Sequence, residues 1–182
     1  LYGDREAADR AAVMANQKVK EVEDVCNIFD EASEVSRLNK TASDKPFKCG
    51  GLLWDVLSKS REFNKLTDGA FDITACPLME LWGFYRKRKA LPSDAETKEA
   101  LGKVGLGKLV FDDKERTVKF TVPGMRFDLG GIAKGYAVDL AADAVRKAGI
   151  KAGIVNLGGN LVCLEEPPPG KNNYTVGVRD PK

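Results

Sequence analysis

Histidine is absent from the 182 residues, so neither a His-based nucleophile triad nor a His-ligated metal can be assembled from this chain, and any metal is directed toward oxygen ligands. Cys26, Cys49, Cys76 and Cys163 lie too far apart for a zinc-ligand spacing or a CxxC redox pair, and read as buried small residues. No apolar run approaches the roughly 20 residues a helix needs to cross a bilayer, and no signal-peptide pattern is visible. A strong charge imbalance is missing as well, since 29 Lys and Arg against 27 Asp and Glu leave a formal +2. Nothing therefore marks a nucleic-acid surface, and the short basic run at residues 86–89 reads as a solvated loop after an apolar helix.

What remains is 43% hydrophobic and 31% charged, the composition of an ordinary globular domain with enough chain for a real core. From residue 4 to residue 29, Ala8, Ala12, Ala15, Val19, Val22, Cys26 and Phe29 recur every three or four positions, which predicts one long amphipathic helix. SEVSRLN at residues 33–39 predicts a loop with one helical turn, and the polar stretch 41–51 a connection. Leu52, Leu53, Val56, Leu57, Ser60 and Phe63 predict a second amphipathic helix, ended by Asp68-Gly69. GAFDIT at 69–74 reads as a short strand or extended segment. Pro77 opens a further helix that buries Leu78, Leu81 and Trp82 and stops at Gly83, and Ser93 or Asp94 caps another running through Leu101 and Val104.

Two β-rich runs around the polar tip 112–116 predict a hairpin, and MRFDL at 125–129 another strand. A helix with Ala133, Tyr136, Ala137, Leu140, Ala144 and Val145 as its packing stripe follows and stops at Gly149. Residues 154–157 then predict a buried strand, and 174–178 another after the proline-rich loop 167–170. Helices, hairpin, then strand, helix and strand give an α+β order rather than a regular doubly wound sheet.

The chemistry concentrates in residues 128–160. Asp128 precedes the glycine turn Gly130-Gly131 at a helix start, where backbone N–H groups suit phosphate or pyrophosphate and Lys134 adds a point charge. The spacing is neither a Walker A loop nor a Rossmann GxGxxG. On residue type alone Gly130, Gly131 and Gly135 read first as letting a helix start tightly against a sheet. Likewise Phe29 could close an apolar stripe as core, and Asp72 could cap a turn.

Six motifs occur in order: SEVSRLN (33–39), DGAFDIT (68–74), PLMELWGF (77–84), DLGGIAKGYAVD (128–139), VNLGGN (155–160) and VGVRDP (176–181). Together they resemble the FAD:protein FMN transferase, or ApbE, family over nearly the whole chain. The resemblance implies a single domain over 1–182 with an α+β, ApbE-like (T-fold-related) mixed sheet flanked by helices. It further implies an extracytoplasmic, Mg²⁺-dependent transferase, periplasmic or at the cell surface, with a lipid anchor upstream. Such an enzyme cleaves FAD and joins FMN through a phosphoester to a Ser or Thr of a target flavoprotein, releasing AMP. Matched residue by residue, it places Phe29 against the flavin ring and Ala70, Phe71 and Asp72 along the FAD site. Gly130, Lys134 and Tyr136 fall at cofactor positions, and the Ala133 carbonyl at a Mg²⁺ ligand position. Leu1-Tyr2-Gly3 resembles the end of the family's first strand. The family's Asp and Thr metal ligands belong to a second half expected beyond Lys182, so the chain reads as incomplete at its C-terminus. Two other activities stay open: an FAD-binding module without transfer chemistry, and an FAD pyrophosphatase giving FMN and AMP.

Overall fold

A computed structural model describes residues 1–178 and 180. The chain divides into two compact units, one formed by Glu23–Ala133 and the other by Leu1–Val22 with the chain from Lys134 onward. Helices α1 (Arg5–Cys26) and α6 (Gly130–Lys147) each contribute residues to both. No helix among the described residues is long and apolar enough to cross a membrane.

The middle unit holds α2 (Glu34–Thr41), β1 (Phe47–Lys48), α3 (Gly51–Leu66), α4 (Cys76–Leu81), α5 (Asp94–Leu101), β2 (Leu109–Asp112) and β3 (Thr117–Phe120). SEVSRLN is a full helix rather than a single turn. The Ser33 hydroxyl accepts the Ser36 N–H, and Val35 and Leu38 are completely buried, so capping and packing together extend what local pattern alone left short. The strands form an antiparallel sheet in the order β1-β3-β2. β1, which the polar character of 41–51 concealed, pairs Phe47 with Val118 and Lys48 with Thr117. α3 covers this sheet through Trp54, whose ring meets Phe111 edge-on at 6.0 Å, while the Arg61 guanidinium lies 4.5 Å above the same ring and reaches Asp113 at 2.6 Å.

Two strands expected in the middle unit do not form, for one reason. In residues 69–74 side chains take up the backbone groups a ladder would need: Asn64 donates to the Phe71 carbonyl at 2.7 Å, the Phe71 N–H donates to the Thr67 hydroxyl at 2.9 Å, and the Thr74 N–H donates to Asp72 at 2.7 Å. In residues 125–129 the Asn39 side chain does the same, donating to the Phe127 carbonyl at 3.0 Å and accepting its N–H at 2.7 Å. Side-chain to backbone bonds, local in residues 69–74 and long-range in residues 125–129, here compete successfully with strand pairing. Trp82, expected in the core, is 50% exposed, and Leu78 and Leu81 are only half-buried.

α5 begins as its sequence predicts, with Ser93 and Glu96 exchanging hydrogen bonds in a capping box. Arg88 adds two further bonds to the Glu96 carboxylate, at 2.8 and 3.0 Å, so one member of the basic run 86–89 is a structural ion pair.

In the terminal unit, α6 packs Ala142 and Val145 with Ala11, Ile150 and Leu164. It ends where Gly149 adopts a φ of 84°, a left-handed conformation that glycine takes without a Cβ clash. β4 (Ile154–Leu157) and β5 (Asn160–Cys163) form an antiparallel hairpin across Gly158-Gly159; β5 was not foreseen, because the NLGGN turn reads as an end rather than as a hairpin. Residues 174–178 form no strand. The Tyr174 hydroxyl instead ties two loops together, donating to the Glu166 carbonyl and accepting the Gly153 N–H. Arg179 and Pro181 of the VGVRDP motif lie outside the described residues.

Two outcomes follow from these contacts. The Arg88 and Ser93 hydrogen bonds hold the Glu96 carboxyl at about 2, below its ordinary 4.5. A depressed folded value means the stabilisation is complete above about pH 4.5 and is lost as pH falls toward 2. Glu96→Gln should therefore lower the urea midpoint at pH 7, and its difference from wild type should shrink steadily below pH 4.5. Burial, and then the charge of Glu34, push the Cys26 and Cys49 thiols up to about 12. Both should resist a thiol reagent in the native protein at pH 8 and react quickly in denaturant, counted by the release of the reagent's chromophore.

Candidate functional site

One carboxylate ties together the start of α6, the loop carrying Tyr85 and the turn carrying Asp72. Asp128 stands just before α6; its Oδ1 accepts the Gly130 N–H at 2.7 Å and its Oδ2 accepts the Tyr85 hydroxyl. The Asp128 N–H itself donates to the Ile73 carbonyl at 2.8 Å, which anchors the segment to the turn containing Asp72. Burial, together with the hydrogen bond to Asp128, holds the Tyr85 phenol protonated well above the ordinary tyrosine range.

The helix start is thus already partly served by the chain's own groups. Besides the Gly130 N–H on Asp128, the Ile132 and Ala133 N–H groups donate to the Leu129 carbonyl at 3.0 and 2.8 Å. The glycines permit close approach, but of neighbouring residues. A Cβ on Gly130 would lie 3.1 Å from Asp128 Oδ1, and one on Gly131 would lie 3.2 Å from the edge of the Phe71 ring. Gly135 has open space around it. Tight helix start and close packing therefore account for Gly130 and Gly131 within this chain.

Phe29 is not a core residue. α1 stops at Cys26, and Phe29 falls beyond it with 73% of its surface exposed, its backbone N–H held by Asn27 Oδ1 at 2.9 Å. Its ring meets Tyr85 edge-on at 5.6 Å, and both rings line a cleft of about 510 Å³. Three cations stand on the same cleft: Lys40 pairs with Glu31 at 3.0 Å, Arg126 pairs with Glu80 at 2.7 Å, and Arg86 makes no ion pair among the described residues. Glu31 and Glu80 line the cleft as well, so two of the cations are already paired; an exposed aromatic face beside the three suits a planar ring carrying phosphate.

The GAFD residues form a second cluster. Phe71 is half-buried between Gly131 and Phe63, whose ring centroid is 6.2 Å from its own. Asp72 caps the turn: one oxygen accepts both the N–H and the hydroxyl of Thr74, and Thr74, fully buried, accepts the Gly105 N–H at 2.6 Å. Ala70 is exposed. Ala133 lies within α6, where its carbonyl is placed for the intrahelical ladder. Lys134 and Tyr136 belong to the terminal unit, the first exposed and the second half-buried. No group of three or more Cys, Asp or Glu side chains among the described residues could hold a metal ion. The described side chains consequently do not fit a complete Mg²⁺ site.

Sequence reasoning missed Tyr85, Lys40, Arg86 and Arg126. Tyr85 opens the run YRKRK, whose charge pointed to a solvated loop, and nothing in its spacing announces a contact with a carboxylate 43 residues away.

Comparison with known proteins reaches the same family. Residues 3–182 match the profile of the ApbE family. The chain is 32% identical over 145 residues to the FAD:protein FMN transferase of Vibrio cholerae, covering 79% of this chain and 43% of that protein. It is 27% identical over 165 residues to the FAD:protein FMN transferase of Klebsiella pneumoniae, covering 91% and 50%. Among solved structures, the ApbE protein from Thermotoga maritima superposes with a TM-score of 0.86 at 33% identity, covering 96% of this chain and 56% of that one. The flavin transferase ApbE from Vibrio cholerae gives 0.79 at 30%, covering 86% and 50%. The chain spans about half the length of these curated relatives. With the profile matched across the chain and the fold shared with two ApbE structures, this protein belongs to the ApbE family.

Proposed function

We propose that this chain carries the flavin-nucleotide-binding part of an FAD:protein FMN transferase. The observation that carries the reading is the Phe29 ring, 73% exposed on the wall of a cleft that also presents Lys40, Arg86 and Arg126. A large aromatic left facing solvent beside cations has more to offer a ring-bearing phosphate ligand than a protein core. Phe29 would face the isoalloxazine, and Arg86, with Lys40, Arg126 and the start of α6, would hold phosphate. Phe71 borders the helix start at Gly131; Ala70 and Gly130 are proposed as contacts on family resemblance, and Asp72 acts through the turn it caps. Lys134 and Tyr136 are proposed as further contacts on family resemblance alone.

The reaction is phosphoryl transfer. The acceptor Ser or Thr oxygen bonds to the flavin-side phosphorus, the pyrophosphate bond breaks, and AMP leaves. In such chemistry the protein chiefly positions groups and stabilises charge. The proposed Mg²⁺ dependence rests on family resemblance; beyond the Ala133 carbonyl the described residues supply no ligand set, so no step is assigned to the ion here. A place outside the cytoplasm, with a lipid anchor, is likewise proposed on resemblance, and fractionation of cells carrying the full-length gene would overturn it by recovering the protein in the cytoplasm.

Full-length protein incubated with FAD, Mg²⁺ and an acceptor flavoprotein should yield a covalently fluorescent acceptor band. Free FMN and AMP would identify a pyrophosphatase, and retained FAD without reaction a binding module; failure to bind FAD would overturn all three. Phe29→Ala should weaken FAD binding about fivefold, the loss of a stacking contact of about 1 kcal/mol. Because the side chain is exposed, its melting temperature should barely move, and Phe29→Tyr should bind as wild type; fluorescence titration and thermal melts check both. In calorimetry, Mg²⁺ added to the 182-residue chain without nucleotide should give no saturable heat at submillimolar concentration, as expected where no cluster of acidic ligands surrounds a site.

A further inference from the structure

Tyr85 lies outside all six sequence motifs, yet it is the side chain that joins the two halves of the candidate site. Its hydroxyl donates to Asp128 Oδ2, while Asp128 Oδ1 accepts the first N–H of α6 at 2.7 Å. Its ring supports the exposed Phe29 ring from the side, at 80° between planes. The other groups near the hydroxyl are the sulfurs of Cys76 at 3.7 Å and Met79 at 3.5 Å, both weak acceptors, which leaves Asp128 as its strong partner.

A carboxylate at the mouth of a phosphate-binding helix start poses an electrostatic problem. As held, Asp128 takes the Gly130 N–H alone; left to rotate, it would reach further α6 N–H groups and swing its charge toward the pyrophosphate. With one oxygen on Gly130 and the other on Tyr85, the carboxylate is confined to one rotamer and both oxygens carry a hydrogen bond.

We propose that Tyr85 is a positioning residue for the flavin nucleotide, its hydroxyl fixing Asp128 against the first amide of α6 while its ring backs Phe29. The role rests on the FAD-binding reading, and divides cleanly by group: the hydroxyl acts on the pyrophosphate end through Asp128, and the ring acts on the flavin end through Phe29. The raised Tyr85 pKa agrees with this, since the phenol stays a donor throughout the physiological range.

The test uses wild type, Tyr85→Phe, Tyr85→Ala, Asp128→Asn and the Tyr85→Phe/Asp128→Asn double variant, each titrated with FAD and with riboflavin, which lacks the pyrophosphate. Tyr85→Phe should weaken FAD about tenfold, the scale of one hydrogen bond to a charged group, and leave riboflavin unchanged. Tyr85→Ala should weaken both. In the Asp128→Asn background, where no carboxylate remains to be restrained, Tyr85→Phe should no longer affect FAD. A readout without ligand runs alongside: melting-temperature changes of Tyr85→Phe and Asp128→Asn should be non-additive, as for groups in direct contact. Equal loss of FAD and riboflavin in Tyr85→Phe, an undiminished FAD effect in the Asp128→Asn background, or additive melting shifts would each overturn the positioning role while leaving the flavin-binding reading standing. Wild type binding neither ligand would instead overturn the flavin-binding reading, and this role with it.

Discussion

The Asp128 carboxylate, held between the Tyr85 hydroxyl and the Gly130 N–H, is the constraint on which the rest of the middle unit depends. It fixes where α6 begins, and its own N–H on Ile73 ties that start to the GAFD turn. A buried or half-buried carboxylate is costly without donors, so the loop carrying Tyr85 and the helix carrying Gly130 are committed to each other. The aromatic wall of the cleft inherits its position from the same tyrosine.

Around that point, the unit is assembled by side chains that stand in for backbone partners. Asn39 pairs with both polar groups of Phe127 as a neighbouring strand would, and Asp72 and Asn64 do the equivalent for residues 71–74. Irregular backbone satisfied in this way leaves side chains projecting in directions a regular strand would forbid. That is how Phe71 comes to lie against Gly131 while Phe127 remains in the core, with its ring 5.0 Å from Phe120.

Glycine has two distinct meanings in this chain. At Gly149 the backbone demands a positive φ and the residue ends a helix. At Gly131 the backbone is ordinary helix, and what matters is the ring packed where a Cβ would point. The same sequence letter therefore marks a local conformation in one place and a tertiary contact in the other.

Local physics was legible in the sequence wherever one segment decided its own fate. The helices α1, α3, α5 and α6 follow from apolar periodicity and from caps such as Ser93 with Glu96, the β2-β3 hairpin from β-rich runs about a polar tip, and the family from six motifs in order. Tertiary structure alone decided whatever depended on a distant partner. Phe47 and Lys48 form a strand only because β3 is beside them, residues 125–129 fail to form one because Asn39 takes their hydrogen bonds, and Phe29 is exposed because α1 stops at Cys26 before reaching it. Tyr85 meets Asp128, 43 positions further along the chain. Periodicity and capping extend over a few residues, whereas hydrogen-bond partners are chosen by proximity in space, and that choice was invisible until the chain was folded.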